Sequence, residues 1–528
     1  MKRTNMLLLW LLLVLTTAVA QRREIHILSV NDMHAKLENM PRLAAIADSL
    51  RAIDPQLLVF AAGDNRTGSP YNDQFKPTSF PMVAFMNFIG FDASAYGNHE
   101  FDSRPDGLAK VVALSNFPYL CANLTPVPEK GINHIPYKVF NIDGISIGVL
   151  GVVQLGTHGL PDTHPDNVRS FDFKPVEETI AKHEWLTKKC DVNILLSHIG
   201  YEDDVRMAAR FPYYDLIIGG HSHTQLQGGE VHNGVLITQN VNRLKKATLT
   251  TLTVENGKVV AKEAKNIDVE HHSANNVVAN ELLRFFNENE AFKRKLAVTD
   301  VPFANREELG IFMCDAVCSE AKADFVVWNE GGIRLDHLPA GPITVQQVLT
   351  LDPFGNRCVE LNLTGKELYD LMAACYVNDE NRFPYTSSNL SCTVTVDKNK
   401  PNVIKSIVMT DGKGKRLDMK KTYRVAMNSY VTSICDSPRK DKGRDTNLLT
   451  ADMIISHLEK VGKVNLCGQA MSQGIEQVSG ACSLRWAALD VIKNNLKQLA
   501  LRFVPCASSR NAVGTMGVLV FQTPNGKP

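Results

Sequence analysis

The parts of this chain whose residue types and spacing could do chemistry are Asp32-x-His34, Gly63-Asp64, Asn98-His99-Glu100 with Asp102, His198, and His221-x-His223. Carboxylate, imidazole and amide oxygen without thiolate suit borderline or hard divalent cations such as zinc or manganese. Seven groups, Asp32, His34, Asp64, Asn98, His198, His221 and His223, are too many for one tetrahedral site, which four ligands fill. Two cations sharing one carboxylate would use them all. Each piece alone has a plainer reading. A lone DxH is a weak signal, GNHE can be a polar loop capping a strand, and a histidine after an apolar strand is often a satisfied core residue. The weight comes from all five pieces recurring in order.

Five apolar runs must position these groups. EIHILSV runs into Asn31-Asp32-Met33-His34, LLVFAA into Gly63-Asp64-Asn65, and FDASAY into Gly97-Asn98-His99-Glu100. VNILLS runs into His198 and YDLIIGG into His221-Ser222-His223. Short runs bounded by polar residues or glycine predict strands. Their alternation with helical stretches over residues 21–265 predicts an α/β fold. Ligands of open α/β sheets bind beyond the carboxyl ends of the strands, so five strand ends deliver their polar groups to one region. Asp32 and His34 are two apart and in extended chain would point the same way; His221 and His223 repeat that spacing. The glycines at 63, 97, 219 and 220 let the backbone turn sharply and approach an ion closely.

At 528 residues the chain exceeds one core and predicts two or three domains. Lys2 and Arg3 precede the apolar run Met6–Leu15, and Ala18-Val19-Ala20 is a small-x-small cleavage signal. This predicts a secretory signal peptide over residues 1–20, cut before Gln21, with an uncleaved anchor as the alternative. The apolar run is short of the roughly 20 residues a span needs, and no transmembrane span is expected after cleavage. The expected destination is outside the cytoplasm, periplasmic or extracellular. Without Lys2 and Arg3, the 57 basic residues become 55 against 56 acidic ones, a formal charge of −1. That balance argues against a nucleic-acid polymer as partner and leaves oligomeric state open. Eleven cysteines are an odd number for an exported chain, and no CxxC spacing occurs. Cys314 and Cys318, four apart, read as buried thiols on one helix face, the alternative being a metal pair.

In motif order the chain resembles the calcineurin-like metallophosphoesterases: D-x-H, G-D-x, G-N-H-[ED], H and G-H-x-H stand here as DMH, GDN, GNHE, SHIG and GGHSH. GNHEFD and later segments narrow the resemblance to the secreted 5′-nucleotidase branch. The resemblance implies a β-sandwich flanked by helices over residues 21–267. It also implies two divalent cations, one held by Asp32, His34, Asp64 and His223, the other by Asp64, Asn98, His198 and His221, with Asp64 bridging. His99 and Asp102 match the dyad that stabilises charge, and a metal-bridged hydroxide would attack phosphorus in line. The expected substrate is a small phosphate ester, foremost a nucleoside 5′-monophosphate. Alternatives are a nucleotide-sugar, a cyclic nucleotide or another ester on the same metals, or a non-catalytic nucleotide-binding surface protein. Glu100 is expected to be structural.

Residues 268–296, with Val277, Leu282, Leu283 and Phe286 at helical spacing, predict a helical linker. Residues 297–466 predict a second α/β or α+β unit resembling the 5′-nucleotidase C-terminal domain, carried by DFVVWNEGGIR, LDPFGNRCVELNLTGKELYDLM and YRVAMNSY. The resemblance implies that this domain binds the organic part of the substrate. Arg334, on a glycine turn, can reach phosphate with two parallel hydrogen bonds, the alternative being a local ion pair. Asn329 and Asn356 are weaker candidates, and Leu363, Leu368, Leu371 and Met372 read as core. Family members stack the base between two aromatics. Phe383 or Tyr385 can supply one ring; the motif for the second is missing, leaving Tyr430 as its candidate. The tail, residues 467–528, fits no segment of the family and is assigned no role.

Overall fold

The computed structural model describes residues 22–156, 158–378, 382–397, 400–464 and 474–478. The predicted signal peptide and most of the predicted tail lie outside the described residues.

Strand β1 (Arg22–Val30) is buried on both faces from Leu28 onward, and its side chains divide by parity. Ile25 and Ile27 face a second sheet, while Leu28 and Val30 face the helices α1 (Met40–Arg51) and α2 (Phe80–Ile89). β1 pairs in parallel with β2 (Leu58–Ala61), β2 with β3 (Ala93–Ala95), and β3 with β4 (Tyr119–Leu120). The connections carry α1, α2 and α3 (Arg104–Leu114), as parallel pairing requires.

The second sheet orders β5 (Tyr137–Ile142), β6 (Ile145–Val153), β7 (Val192–His198), β8 (Leu216–Ile218), β9 (Glu230–His232) and β10 (Val235–Thr238) as β5-β6-β7-β8-β10-β9. Helix α4 (Tyr201–Arg210) joins β7 to β8. The chain then returns to the first sheet as β11 (Lys246–Glu255) and β12 (Lys258–Asp268), β11 lying antiparallel on β1. Phe60, Ile147, Val149, Ile194, Leu196, Ile218 and Leu252 fill the space between the sheets. Each such side chain contributes about 1.5–3 kcal/mol by leaving water. The five predicted strands are β1, β2, β3, β7 and β8, divided between the two sheets of a sandwich.

Helix α5 (Val277–Phe286) follows. Its anchor is Phe286, whose ring meets those of Phe75, Phe80 and Phe85 at centroid distances of 5.4, 5.9 and 6.1 Å. Val277 does not share that face: it is 75% exposed, because it opens the helix on the side away from the body. Residues β13 (Lys295–Thr299), α6 (Arg306–Ala321), β14 (Phe325–Trp328), β15 (Gly341–Thr344), β16 (Arg357–Thr364) and α7 (Gly365–Asn378) open the second unit. β17 (Tyr385–Thr386), β18 (Leu390–Asp397), β19 (Lys400–Asp411), β20 (Thr422–Asn428), α8 (Ser429–Ile434), β21 (Arg444–Leu449), α9 (Thr450–Val461), β22 (Lys463–Val464) and β23 (Gly474–Val478) complete it. Its sheets run β15-β13-β22, β17-β14-β20-β16-β21 and β19-β18-β23. Leu363, Leu368, Leu371 and Met372 lie in its core. Cys314 is buried in α6, and the Cys318 thiol donates to the Ala323 carbonyl at 3.3 Å. Among the described residues, no helix is long and apolar enough to cross a membrane.

Candidate active site

The carboxyl ends of β1, β2 and β3 in one sheet and of β7 and β8 in the other converge. Asp32 and His34 do not continue β1 as extended chain. Both adopt left-handed backbone, with φ of 48° and 44°, as do Asp64 (52°), His221 (77°) and His223 (56°). Non-glycine residues rarely hold that conformation, and clusters of them mark sites where geometry outweighs local comfort. The strain turns each side chain inward sooner than a strand could. The expectation that extended spacing aligns these pairs is therefore corrected: tight left-handed turns align them.

The seven predicted donors meet. His34 Nε2 lies 3.2 Å from His223 Nε2, and His223 Nε2 lies 3.3 Å from Asp32 Oδ1. On the other side, His198 Nε2 lies 3.3 Å from both Asp64 Oδ2 and Asn98 Oδ1, and His221 Nδ1 lies 3.0 Å from Asn98 Oδ1. Asp64 stands between, with His34 Nε2 3.9 Å from its Oδ2. Three groups of three among these residues and His99 have the spacing of a cation's ligands: Asp32-His34-His223, Asp32-Asp64-His198 and His34-Asp64-His99.

Other contacts fix which atom of each donor faces inward. His198 Nδ1 is bound to the Ala62 carbonyl at 2.6 Å and His34 Nδ1 to the Thr67 carbonyl at 3.2 Å, which leaves both Nε2 atoms for the centre. Asn242 holds His223 Nδ1 at 3.1 Å. Asn98 donates its amide to the Asp162 carbonyl at 2.9 Å, so its oxygen points in. Gly97 permits the close approach: a Cβ there would fall 2.1 Å from Asp64 Oδ1. Glu100 accepts the backbone N–H groups of Asp64 (2.9 Å), Asn65 (2.8 Å) and Gly97 (2.6 Å), pinning the β2 turn to the β3 turn.

The electrostatics fit divalent cations. Burial would raise the Asp64 carboxyl, but the rings of His198 and His99 outweigh it and hold it well below the usual range. Burial would lower His198, but Asp64 and Asp32 outweigh it and raise its ring to about 10. His221 is driven down to about 3 by burial and by His198 beside it. Two buried carboxylates thus favour positive charge at this centre. Lone pairs facing lone pairs at these distances call for positive charge, and a set of imidazole, carboxylate and amide oxygen can hold it as metal.

His99 opens the 3-10 turn Asn98–Ser103 with Asn98 and faces the centre beside the donors, its Nε2 3.9 Å from Asp64 Oδ2. In such a turn residues three apart eclipse, and His99 Nδ1 meets Asp102 Oδ2 at 2.8 Å. Thr67 and Thr163 hydroxyls donate to the two Asp102 oxygens, each at 2.8 Å. Burial would lower His99, but Asp64 and Asp102 outweigh it and hold the ring above its ordinary value.

The second unit reaches this centre. Arg334 Nη2 lies 3.0 Å from both ring nitrogens of His34. Phe354, which sequence reasoning missed, stacks on the His99 ring at 5.6 Å and lies 5.7 Å from the Arg334 guanidinium. Nothing in LDPFGNR marks that phenylalanine beforehand. Asp162 was missed too, since it stands in a loop with no motif. The other sequence candidates sit further back. Asn329 accepts from the Asn428 amide at 3.1 Å, and Asn356 accepts from the Ser429 hydroxyl at 3.2 Å. Phe383 and Tyr430 pack against the core of the second unit, and Tyr385 lies over Gly310 of α6.

Residues 25–225 match the calcineurin-like phosphoesterase family, and residues 291–438 match the 5′-nucleotidase C-terminal domain. The chain carries a calcineurin-like phosphoesterase domain. It carries the 5′-nucleotidase type of second domain and is a metal-dependent phosphoester hydrolase. The phosphoesterase is 27% identical to a 5′-nucleotidase of Vibrio vulnificus over 514 residues, 83% of this chain and 91% of that one. It is 26% identical to the trifunctional nucleotide phosphoesterase protein YfkN of Bacillus subtilis, across 83% of this chain but 34% of that longer protein. The crystal structure of a 5′-nucleotidase precursor from Thermus thermophilus superposes with a TM-score of 0.76 at 25% identity, covering 86% of this chain and 99% of that one.

Proposed function

We propose that the phosphoesterase is exported and hydrolyses phosphate monoesters, nucleoside 5′-monophosphates foremost, at a pair of divalent cations. The observation that carries this reading is the meeting of the seven donors around Asp64, with Arg334 and Phe354 brought against them from the second unit. The relatives named 5′-nucleotidase support the substrate class. Export rests on the pattern of residues 1–20 and agrees with a relative named snake venom 5′-nucleotidase.

Asp32, His34, Asp64 and His223 would hold one cation, and Asp64, Asn98, His198 and His221 the other; zinc or manganese suits these donors. Bound there, the pair supplies Lewis acidity and makes a hydroxide nucleophile available near neutral pH. The chain's own residues do the rest. His99 presents Nε2 to the reacting ester while Asp102 holds Nδ1–H, so the ring keeps a proton for the leaving oxygen. Arg334 supplies planar donors to phosphate oxygens. Phe354 offers the ring surface nearest His99 to the organic part of the ester.

The test is phosphate release from AMP with added manganese or zinc, compared with a nucleotide-sugar, a cyclic nucleotide and a simple aryl phosphate. Release from AMP that a chelator abolishes supports the proposal. Turnover of the diester or nucleotide-sugar without AMP would replace the substrate assignment. Metal binding without turnover of any ester would leave a binding protein.

A further inference from the structure

In the second unit, far from any metal donor in sequence, two sulfurs face each other. Cys375 on α7 and Cys435, which caps the end of α8, place their Sγ atoms 2.8 Å apart across 60 residues of chain. Each residue is 3% exposed. The apolar side chains Leu368, Leu371, Met372 and Val431 share the same core. A thiol is a weak donor and a weak acceptor, and it has little reason to approach another thiol this closely.

We propose that Cys375 and Cys435 are a cross-linking site, joined as a disulfide once the chain reaches an oxidising compartment. The proposal rests on the export reading above for its oxidant, a thiol–disulfide exchange partner. One Cys thiolate attacks that partner's disulfide to give a mixed disulfide; the second thiolate displaces the partner's remaining thiol. The two cysteines lose two protons and two electrons, and the partner gains them as two thiols. Because both sulfurs are buried, exchange occurs while the domain folds, before the core closes over them.

The bond would act on the helix that carries Tyr430. Cys435 ends α8, and Asn428 begins it: the Asn428 side chain accepts from Val431 N–H at 2.7 Å and donates to Asn329 at 3.1 Å. The helix carrying Tyr430 is thus tied to the Asn329 turn at one end. The cross-link ties it to α7 at the other. Closing a loop of this length restricts the unfolded chain and stabilises the fold.

The experiment uses the full chain, purified without reductant from an oxidising compartment and from a reducing one. Each sample is denatured, blocked with N-ethylmaleimide, digested and mapped by mass spectrometry. The expected result is a linked pair of peptides carrying Cys375 and Cys435 in the first sample, two hydrogens lighter than their sum and absent after reduction. The oxidised protein should also melt about 5 °C or more above the same protein reduced. The Cys435→Ala variant should lose this dependence on reductant. Maleimide on both cysteines in the oxidised sample, or either linked elsewhere, overturns the proposal. None of these readouts uses ester hydrolysis, so the cross-link and the enzymatic reading fail separately.

Discussion

His99 shows what one residue does when its two ring nitrogens have different partners. Nδ1 is committed to Asp102, and Nε2 faces the donor centre. His99→Asn keeps a polar group of similar reach but no proton to give. Turnover is expected to fall about 10²–10⁴-fold while bound metal, measured by inductively coupled plasma mass spectrometry, is retained. Loss of metal with the same substitution would make His99 a ligand instead. This pairing was legible in the sequence, because His99 and Asp102 lie one turn apart. So was the inward gathering of the seven donors, since each stands where an apolar run ends. Phe354 and Asp162 were not legible. Their positions depend on where a second domain and an irregular loop come to rest, and no local spacing encodes that.

Turns and helices decide whether those residues can meet at all. The Gly97 turn leaves no room for a methyl group beside Asp64. Gly97→Ala is expected to displace the Asp64 carboxylate and reduce activity about 100-fold, with the melting temperature changed far less than the activity. The sequence marked Gly97 as a close-approach position. It gave no sign of the left-handed backbone at Asp32, His34, Asp64, His221 and His223, since aspartate and histidine do not announce such a conformation. Helix α4 adds a pH dependence. Asp204 is wholly buried, its Oδ1 accepts the Ser197 hydroxyl at 2.6 Å, and its Oδ2 has no partner among the described residues. Burial pushes its carboxyl up to about 8. An unfolded aspartate titrates near about 4, so the folded chain holds the extra proton between these values. The contribution to stability is full below about pH 4 and is lost as pH rises towards 8. Unfolding by urea from pH 5 to 8 should show stability falling with pH, and Asp204→Asn should flatten that slope.

At the scale of the whole molecule, the two units share one apolar core that runs from the helices beside β1 through α5 to α6. Phe286 is its hinge pin among Phe75, Phe80 and Phe85. Phe286→Ala is expected to cost about 3–5 kcal/mol, read by chemical denaturation, because three aromatic neighbours cannot collapse into the space. The two-unit plan and the helical connection could be read from the sequence. The sandwich could not be read from the apolar runs alone, since β1, β2 and β3 look like β7 and β8 yet belong to different sheets. The contact of Arg334 with His34 carries a kinetic consequence. A guanidinium resting on the His34 ring occupies space that an incoming phosphate ester needs. Admission of the ester therefore requires the guanidinium to move off that ring. Such motion meets friction, so kcat should decline as sucrose thickens the medium, and an Arg334→Ala enzyme, slower in chemistry, should be indifferent to it.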